Sequence, residues 1–294
     1  MGVALGLGAA LSWGLADYFA AVASRDLGAL RVVLGFHLAA LIPLTALVIA
    51  TGALAPVSGA QIGTLALVGA VGWLSYLAFY GALEIGPISV LSPIISGYAA
   101  VTVLLAVTVA GNQLSGPQGV AVGITIAGAM VASADVRAAA RATLERRTAL
   151  GFVLALAAMA LLGGFVFGVS YYRPQLGWLA PIFLARGFAA VFLLGHVLVA
   201  GGREPAANAV RSPRRREKLV AVMMLLALLD TGGYACFNLG VGHAGTAIVA
   251  AASAPYAIVP IAMGVTLLGE RPTRAQWLGV AIVIAGVVML GVVA

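Results

Sequence analysis

Residues 98–128 read YAAVTVLLAVTVAGNQLSGPQGVAVGITIAG, and residues 256–286 read YAIVPIAMGVTLLGERPTRAQWLGVAIVIAG. Laid on one another without a gap, they pair Tyr98 with Tyr256, Val101 with Val259, Thr108 with Thr266, Gly111 with Gly269 and Gln118 with Gln276. Ile126-Ala127-Gly128 falls on Ile284-Ala285-Gly286, and upstream the same offset sets Tyr76 against Tyr234. Apolar composition produces some chance matches, but an ungapped alignment over two and a half helices points to an internal repeat.

Of the 294 residues, 63% are hydrophobic and 9% charged, and the mean hydropathy is +1.11. A soluble domain carries about 25% charged residues, so this is a polytopic membrane protein. At about 20 residues per crossing the length leaves no room for a large soluble catalytic domain. Apolar runs fall at about Gly2 to Val22, Ala29 to Ala50, Ile62 to Leu83, Ile88 to Ala110 and Gln118 to Ala134. A basic connector, residues 135–147, leads to a second set at about Thr148 to Ser170, Trp178 to Ala200, Leu219 to Gly240, Gly245 to Leu268 and Ala275 to Val293. The expected fold is an all-α membrane protein of ten transmembrane helices, built as two five-helix repeats over residues 1–134 and 148–294. An odd number of spans sends the second repeat into the bilayer from the opposite side, so the repeats are inverted. Inverted halves build a site at their interface and rock about it.

The net charge of +7 sits mostly between apolar runs and reads as a topology signal, not as a nucleic-acid surface. With the N-terminus outside, the cytoplasmic connectors carry Arg25, Arg137, Arg141, Arg146, Arg147, Arg203, Arg211, Arg214, Arg215, Arg216, Lys218, Arg271 and Arg274. The opposite loops carry only Arg173. The positive-inside rule therefore turns both termini away from the cytoplasm. The first apolar stretch has no basic flank before it and is read as a first helix, not a cleaved leader. A single cysteine, Cys236, makes neither a disulfide nor a cysteine metal cluster. His37, His196 and His243 lack metal-ligand spacing, so no metal or other cofactor is expected.

Ionisable groups in hydrocarbon are costly and mark functional positions. Asp230 lies near the middle of the eighth run, with Tyr234 and Asn238 following one and two turns later, a polar stripe that should face a cavity or another helix. Its functional reading is a carboxylate that exchanges a proton or holds a cationic group; the alternative is a structural ion pair. Asp17, one turn beyond Trp13, is nearer a membrane end, where interfacial water or Arg25 is within reach. Arg31 and Arg186 occupy comparable places in the second helix of each half, which suggests the pairs Asp17 with Arg31 and Asp230 with Arg186. A guanidinium at Arg186 is alternatively a bidentate partner for a substrate carboxylate.

Trp73, Tyr76 and Tyr80 form an aromatic stripe in helix three that ends at Glu84. Ser89, Ser92 and Ser96 line helix four around Pro93, followed by Tyr98; its counterpart carries Ser253, Tyr256, Pro255 and Pro260. Two helices interrupted at corresponding places point to a site between repeats, with packing and back-bonding to the helix itself as the alternative. Gly119, Gly123 and Ala127 make a small-residue ridge suited to close intramolecular packing, with a dimer seam as the second choice. The Ser212–Arg216 run reads as a cytoplasmic anchor.

The five-plus-five layout resembles the drug/metabolite transporter superfamily, specifically its EamA-type permeases. Ser12-Trp13-Gly14 stands where that family commonly has a Trp-Gly pair, and Leu268-Gly269-Glu270-Arg271-Pro272 matches its turn before the last helix. In the first half the corresponding turn is Gly111-Asn112-Gln113, without the Glu. The resemblance implies fold more than substrate, and characterised members often have cytoplasmic termini, against the arginine distribution here. First-helix carboxylates serve proton-coupled export in small drug-efflux relatives of the superfamily, an analogy for Asp17.

The function expected is secondary transport of a small metabolite, an amino acid or related compound, as export driven by proton antiport across a bacterial inner membrane, by a monomer or homodimer. Uptake by the same fold is the runner-up. A membrane-embedded enzyme is disfavoured because Gly-x-Ser-x-Gly and His-Glu-x-x-His are absent, and no P-loop is visible. The sole lysine, Lys218, lies in a loop and makes no intramembrane retinal Schiff base.

Overall fold

The computed structural model describes residues 1–294 apart from 55, 86–90, 92–93, 134–145, 201–212, 260–261, 264–272 and 294. Ser89, Ser92, Pro93, Pro260, the turn 268–272 and nearly all of the basic connector thus lie outside the described residues. In the remainder every regular element is helical. The chain runs α1 (Gly2–Leu27), α2 (Ala29–Thr51), α3 (Gly59–Ile85), α4 (Tyr98–Thr108), α5 (Gly116–Ser133), α6 (Arg146–Tyr171), the single turn α7 (Arg173–Leu176), α8 (Ala180–Ala200), α9 (Pro213–Ser253), a 3-10 turn (Ala254–Ala257) and α10 (Arg274–Val293). Six of the described helical stretches are long and apolar enough to cross a membrane.

Two of the expected runs are joined in α9, which continues through residues 241–244 and breaks only at Gly245, at φ 77° and ψ 162°. Only glycine adopts that left-handed φ without strain. The break leaves backbone N–H groups without helical acceptors, and Asn112 Oδ1 accepts one of them from Ala247 at 3.4 Å. The residue in the first-half turn that replaces the family's Glu therefore caps a helix of the other half. A second cross-cap holds α2: Gly28 turns the chain at φ 87°, and Glu84 at the end of α3 accepts from Ala29 N–H at 2.8 Å. A carboxylate at a helix N-terminus also complements the helix dipole.

The packing has one pattern used twice. α1 packs along α9 and α6 along α3; α8 lies on α3 and α2 on α9; α4 lies against α6 and the 254–257 turn against α1. α5 and α10 pack on each other. Exchanging the halves leaves this set unchanged. Glycines set the closest approaches. A Cβ on Gly14 would lie 2.5 Å from the Tyr256 carbonyl oxygen, and one on Gly163 would lie 2.8 Å from that of Tyr98. Gly286 abuts Thr125, and Gly128 abuts Ile282 and Val283, closing α5 on α10. The Gly119–Gly123–Ala127 ridge corrects an expectation: all three are exposed, and a Cβ on Gly119 or Gly123 would meet nothing within 4 Å. The face that packs is instead the one bearing Thr125 and Gly128.

Candidate functional site: a cavity between the halves

Where α1, α3, α6 and α9 converge, a cavity with about 410 Å³ of empty space, counted with its open mouth, lies within the apolar interior. The first half contributes Trp13, Ala16 and Asp17 from α1, then Tyr76, Phe79 and Tyr80 from α3, and Tyr98 at the start of α4. The second contributes Leu162 and Val166 from α6, Asp230 and Tyr234 from α9, and Tyr256 from the 3-10 turn.

Arg186 of α8 stands behind one wall. It is fully buried, its Nη2 donates to Asp230 Oδ2 and to the Tyr76 hydroxyl at 3.2 Å, and Tyr76 donates to Asp230 Oδ1 at 3.1 Å. With that proton committed, Tyr234 is the donor in the 3.4 Å contact between the two phenols. Three rings surround the guanidinium at centroid distances of 5.6 Å (Phe36), 5.8 Å (Tyr76) and 5.1 Å (Tyr234), a cation–π setting. Its Nε and Nη1 have no hydrogen-bond partner. A charge so deep in hydrocarbon is tolerated because its counter-ion and aromatic faces stand in for water.

Trp13 explains the Trp-Gly pair. Its Nε1 donates to the Asp230 carbonyl at 3.3 Å, and its ring meets Tyr234 edge-on at 4.9 Å and Tyr98 at 6.1 Å. Gly14 beside it lets α1 approach the Tyr256 backbone. On the far side Tyr98 donates to Ser253 Oγ at 2.9 Å, since the serine's own proton goes to the Ala250 carbonyl. The Tyr98 and Tyr256 rings lie 5.6 Å apart.

Of the residues singled out from sequence, the structure brings Asp17, Tyr76, Tyr80, Tyr98, Asp230, Tyr234 and Tyr256 to the cavity wall, with Arg186 and Ser253 directly behind it. Trp73 points elsewhere, stacking on Phe192 at 5.9 Å and meeting His196 at 5.8 Å. Asn238 is buried off the wall: its Nδ2 donates to the Tyr234 carbonyl, and its own carbonyl accepts from Arg173 Nε at 2.6 Å. Ser96 is buried without lining the cavity, and Ser92 is outside the described residues. The Asp230–Arg186 pair forms, whereas Asp17–Arg31 does not. Arg31 is exposed, and the place Arg186 holds beside Tyr76 is matched by His37, fully buried with its ring 4.8 Å from Tyr76. Trp13, Phe79, Leu162 and Val166 were not singled out as wall residues. The Trp-Gly motif flagged the first, and nothing local flags the apolar ones. Among the described residues no group of His, Cys, Asp and Glu is arranged to hold a metal.

A multi-pass helical membrane protein whose two like halves jointly line a cavity carrying buried carboxylates and phenols belongs to the class of membrane transporters. The EamA-like transporter family matches residues 1–134 and again 148–292, and the chain belongs to that family. Its substrates are accordingly small molecules and its surroundings membrane lipid. No curated protein matches the sequence. Among solved structures, a crystal structure described only as that of a protein superposes with a TM-score of 0.73 at 15% identity, over 100% of this chain and 99% of the other, a likeness of fold.

Proposed function

We propose that the chain is a secondary active transporter that moves a small amphipathic metabolite, an amino acid or related compound, by alternating access. The working unit is ten spans as two inverted repeats, residues 1–134 and 148–294, with 135–147 as a cytoplasmic connector in a bacterial inner membrane. The observation that carries this reading is the Asp230–Arg186–Tyr76–Tyr234 network, set in the wall of the cavity where the two halves meet. Rocking of the halves opens such a site to either side in turn. A proton on Asp230 would cancel its attraction to Arg186 and free Tyr76, so the network is suited to couple proton movement to the rearrangement. Direction is export by this reading, with the same cycle run in reverse giving uptake.

The test is uptake of a labelled metabolite panel into proteoliposomes, with and without an imposed pH gradient, for wild type and Asp230→Asn. Gradient-stimulated transport that is lost in the variant is expected. Equal transport by both proteins would make Asp230 a purely structural group.

A further inference from the structure

We propose that the cavity recognises an organic cation, a small amine with an apolar or aromatic body, and that Asp17 is the group that holds its ammonium; this rests on the transporter reading and narrows its substrate from an amino acid or related compound to the related amine. Two carboxylates, Asp17 and Asp230, face the cavity, and among the described residues no Lys, Arg or His lines it. Asp230 is spoken for by Arg186 and Tyr76. Asp17 is 6% exposed, and its Oδ2 is buried with no hydrogen-bond partner. The sole ion pair among the described residues is the one at Arg186. A buried carboxylate oxygen without a partner is a costly arrangement, and the open side of Asp17 is the cavity itself.

The repeat makes the point sharper. In the first helix of each half the match comes from packing, in a register shorter than that of the tyrosines: Gly14 on the Tyr256 carbonyl corresponds to Gly163 on that of Tyr98, which sets Trp13 against Leu162 and Asp17 against Val166, and all four of these latter side chains line the cavity. Tyr76 matches Tyr234, and Tyr98 matches Tyr256. Where the halves correspond, the wall is aromatic or apolar; at Asp17 a carboxylate replaces the valine that serves the same place across the cavity. Packing therefore does not require the charge. The remaining wall consists of Trp13 and the tyrosines, whose ring faces attract cations, best when desolvated. With Asp230 neutralised by Arg186, an ammonium group entering the cavity would meet one carboxyl group that no cation already holds among the described residues, inside an aromatic box. That complements a monocation with an apolar body and repels an anion.

Calorimetric titration of the purified full chain in detergent with 2-phenylethylamine, phenylalanine and 3-phenylpropionate compares cation, zwitterion and anion on one body. The amine should bind at least about tenfold more tightly than either other form, a difference of about 1.4 kcal/mol. Asp17→Asn should remove that preference, and Asp17→Glu should retain part of it. Equal or tighter binding of the acid or the zwitterion, no binding of the amine, or an unchanged preference in Asp17→Asn would each overturn the proposal. If Asp17→Asn does not fold by thermal unfolding, the ranking on wild type and on Asp17→Glu decides. Proteoliposome transport of a zwitterion without any amine preference would sink this inference while leaving the transporter reading standing.

Discussion

Tyr76 and Tyr234, matching positions of the two repeats, touch: their hydroxyl oxygens are 3.4 Å apart. The next matching pair, Tyr98 and Tyr256, also meet, ring to ring at 5.6 Å. Residues related by the repeat come together only near the axis that exchanges the halves, so that axis passes through the cavity. The two phenols do not share one environment, because Asp230 and Arg186 both bind on the Tyr76 side. A symmetric scaffold thus carries an asymmetric charge arrangement.

The ion pair at that axis should behave as a unit. Arg186→Gln alone leaves Asp230 charged and buried and should cost about 3–5 kcal/mol, and Asp230→Asn should do the same to Arg186. The double variant should lose clearly less than the sum of the two. Unfolding in detergent for all four proteins gives the coupling energy, and strict additivity would mean that the pair contributes nothing as a pair.

Tyr76→Phe removes one hydroxyl that serves Asp230, Arg186 and Tyr234 while keeping the ring. Hydrogen bonds to charged groups contribute about 1.5–3 kcal/mol, so a loss of that order is expected. Tyr234→Phe, which keeps the bonds to Asp230 and Arg186, should cost less; the reverse order would contradict the donor assignment.

Close approach at Gly14 and Gly163 gives a matched pair of predictions. A methyl group at either would press on backbone oxygen, and overpacking of this kind costs about 1–3 kcal/mol. Gly123→Ala, on an exposed face with open space, should instead be neutral or stabilising by up to about 1 kcal/mol through helix propensity. Equal melting shifts in all three variants would show that these approaches do not limit packing.

Glu84→Gln tests the cap on α2 away from the cavity. Weakening a charged cap should cost about 0.3–1 kcal/mol, less at high salt, while transport stays at the wild-type level. A loss of transport at unchanged stability would assign Glu84 a role beyond capping.

The arginine asymmetry predicts non-cytoplasmic termini. Reporter fusions at Met1 and Ala294 in intact cells should be reachable from outside; protection at both ends would mean that the positive-inside count misjudges this chain.

Much of this was present in the sequence. Composition alone assigns the bilayer, because a chain with so few charged residues has no other stable solvent. The repeat and its offset follow from the matched tyrosines and glycines, and Asp230 is conspicuous because a carboxylate amid apolar residues has to be explained. What only the tertiary structure decided is which way each helix faces. These helices are apolar nearly all round, so no polar stripe fixes their rotation; their neighbours do, through glycine contacts such as Gly14 on Tyr256. That rotation turns Tyr76 and Tyr80 into the cavity and Trp73 out of it, and leaves Asn238 against Arg173. It also brings Arg186 from α8 to Asp230 and leaves Asp17 without a cation among the described residues, because partners far apart in sequence meet only when whole helices pack.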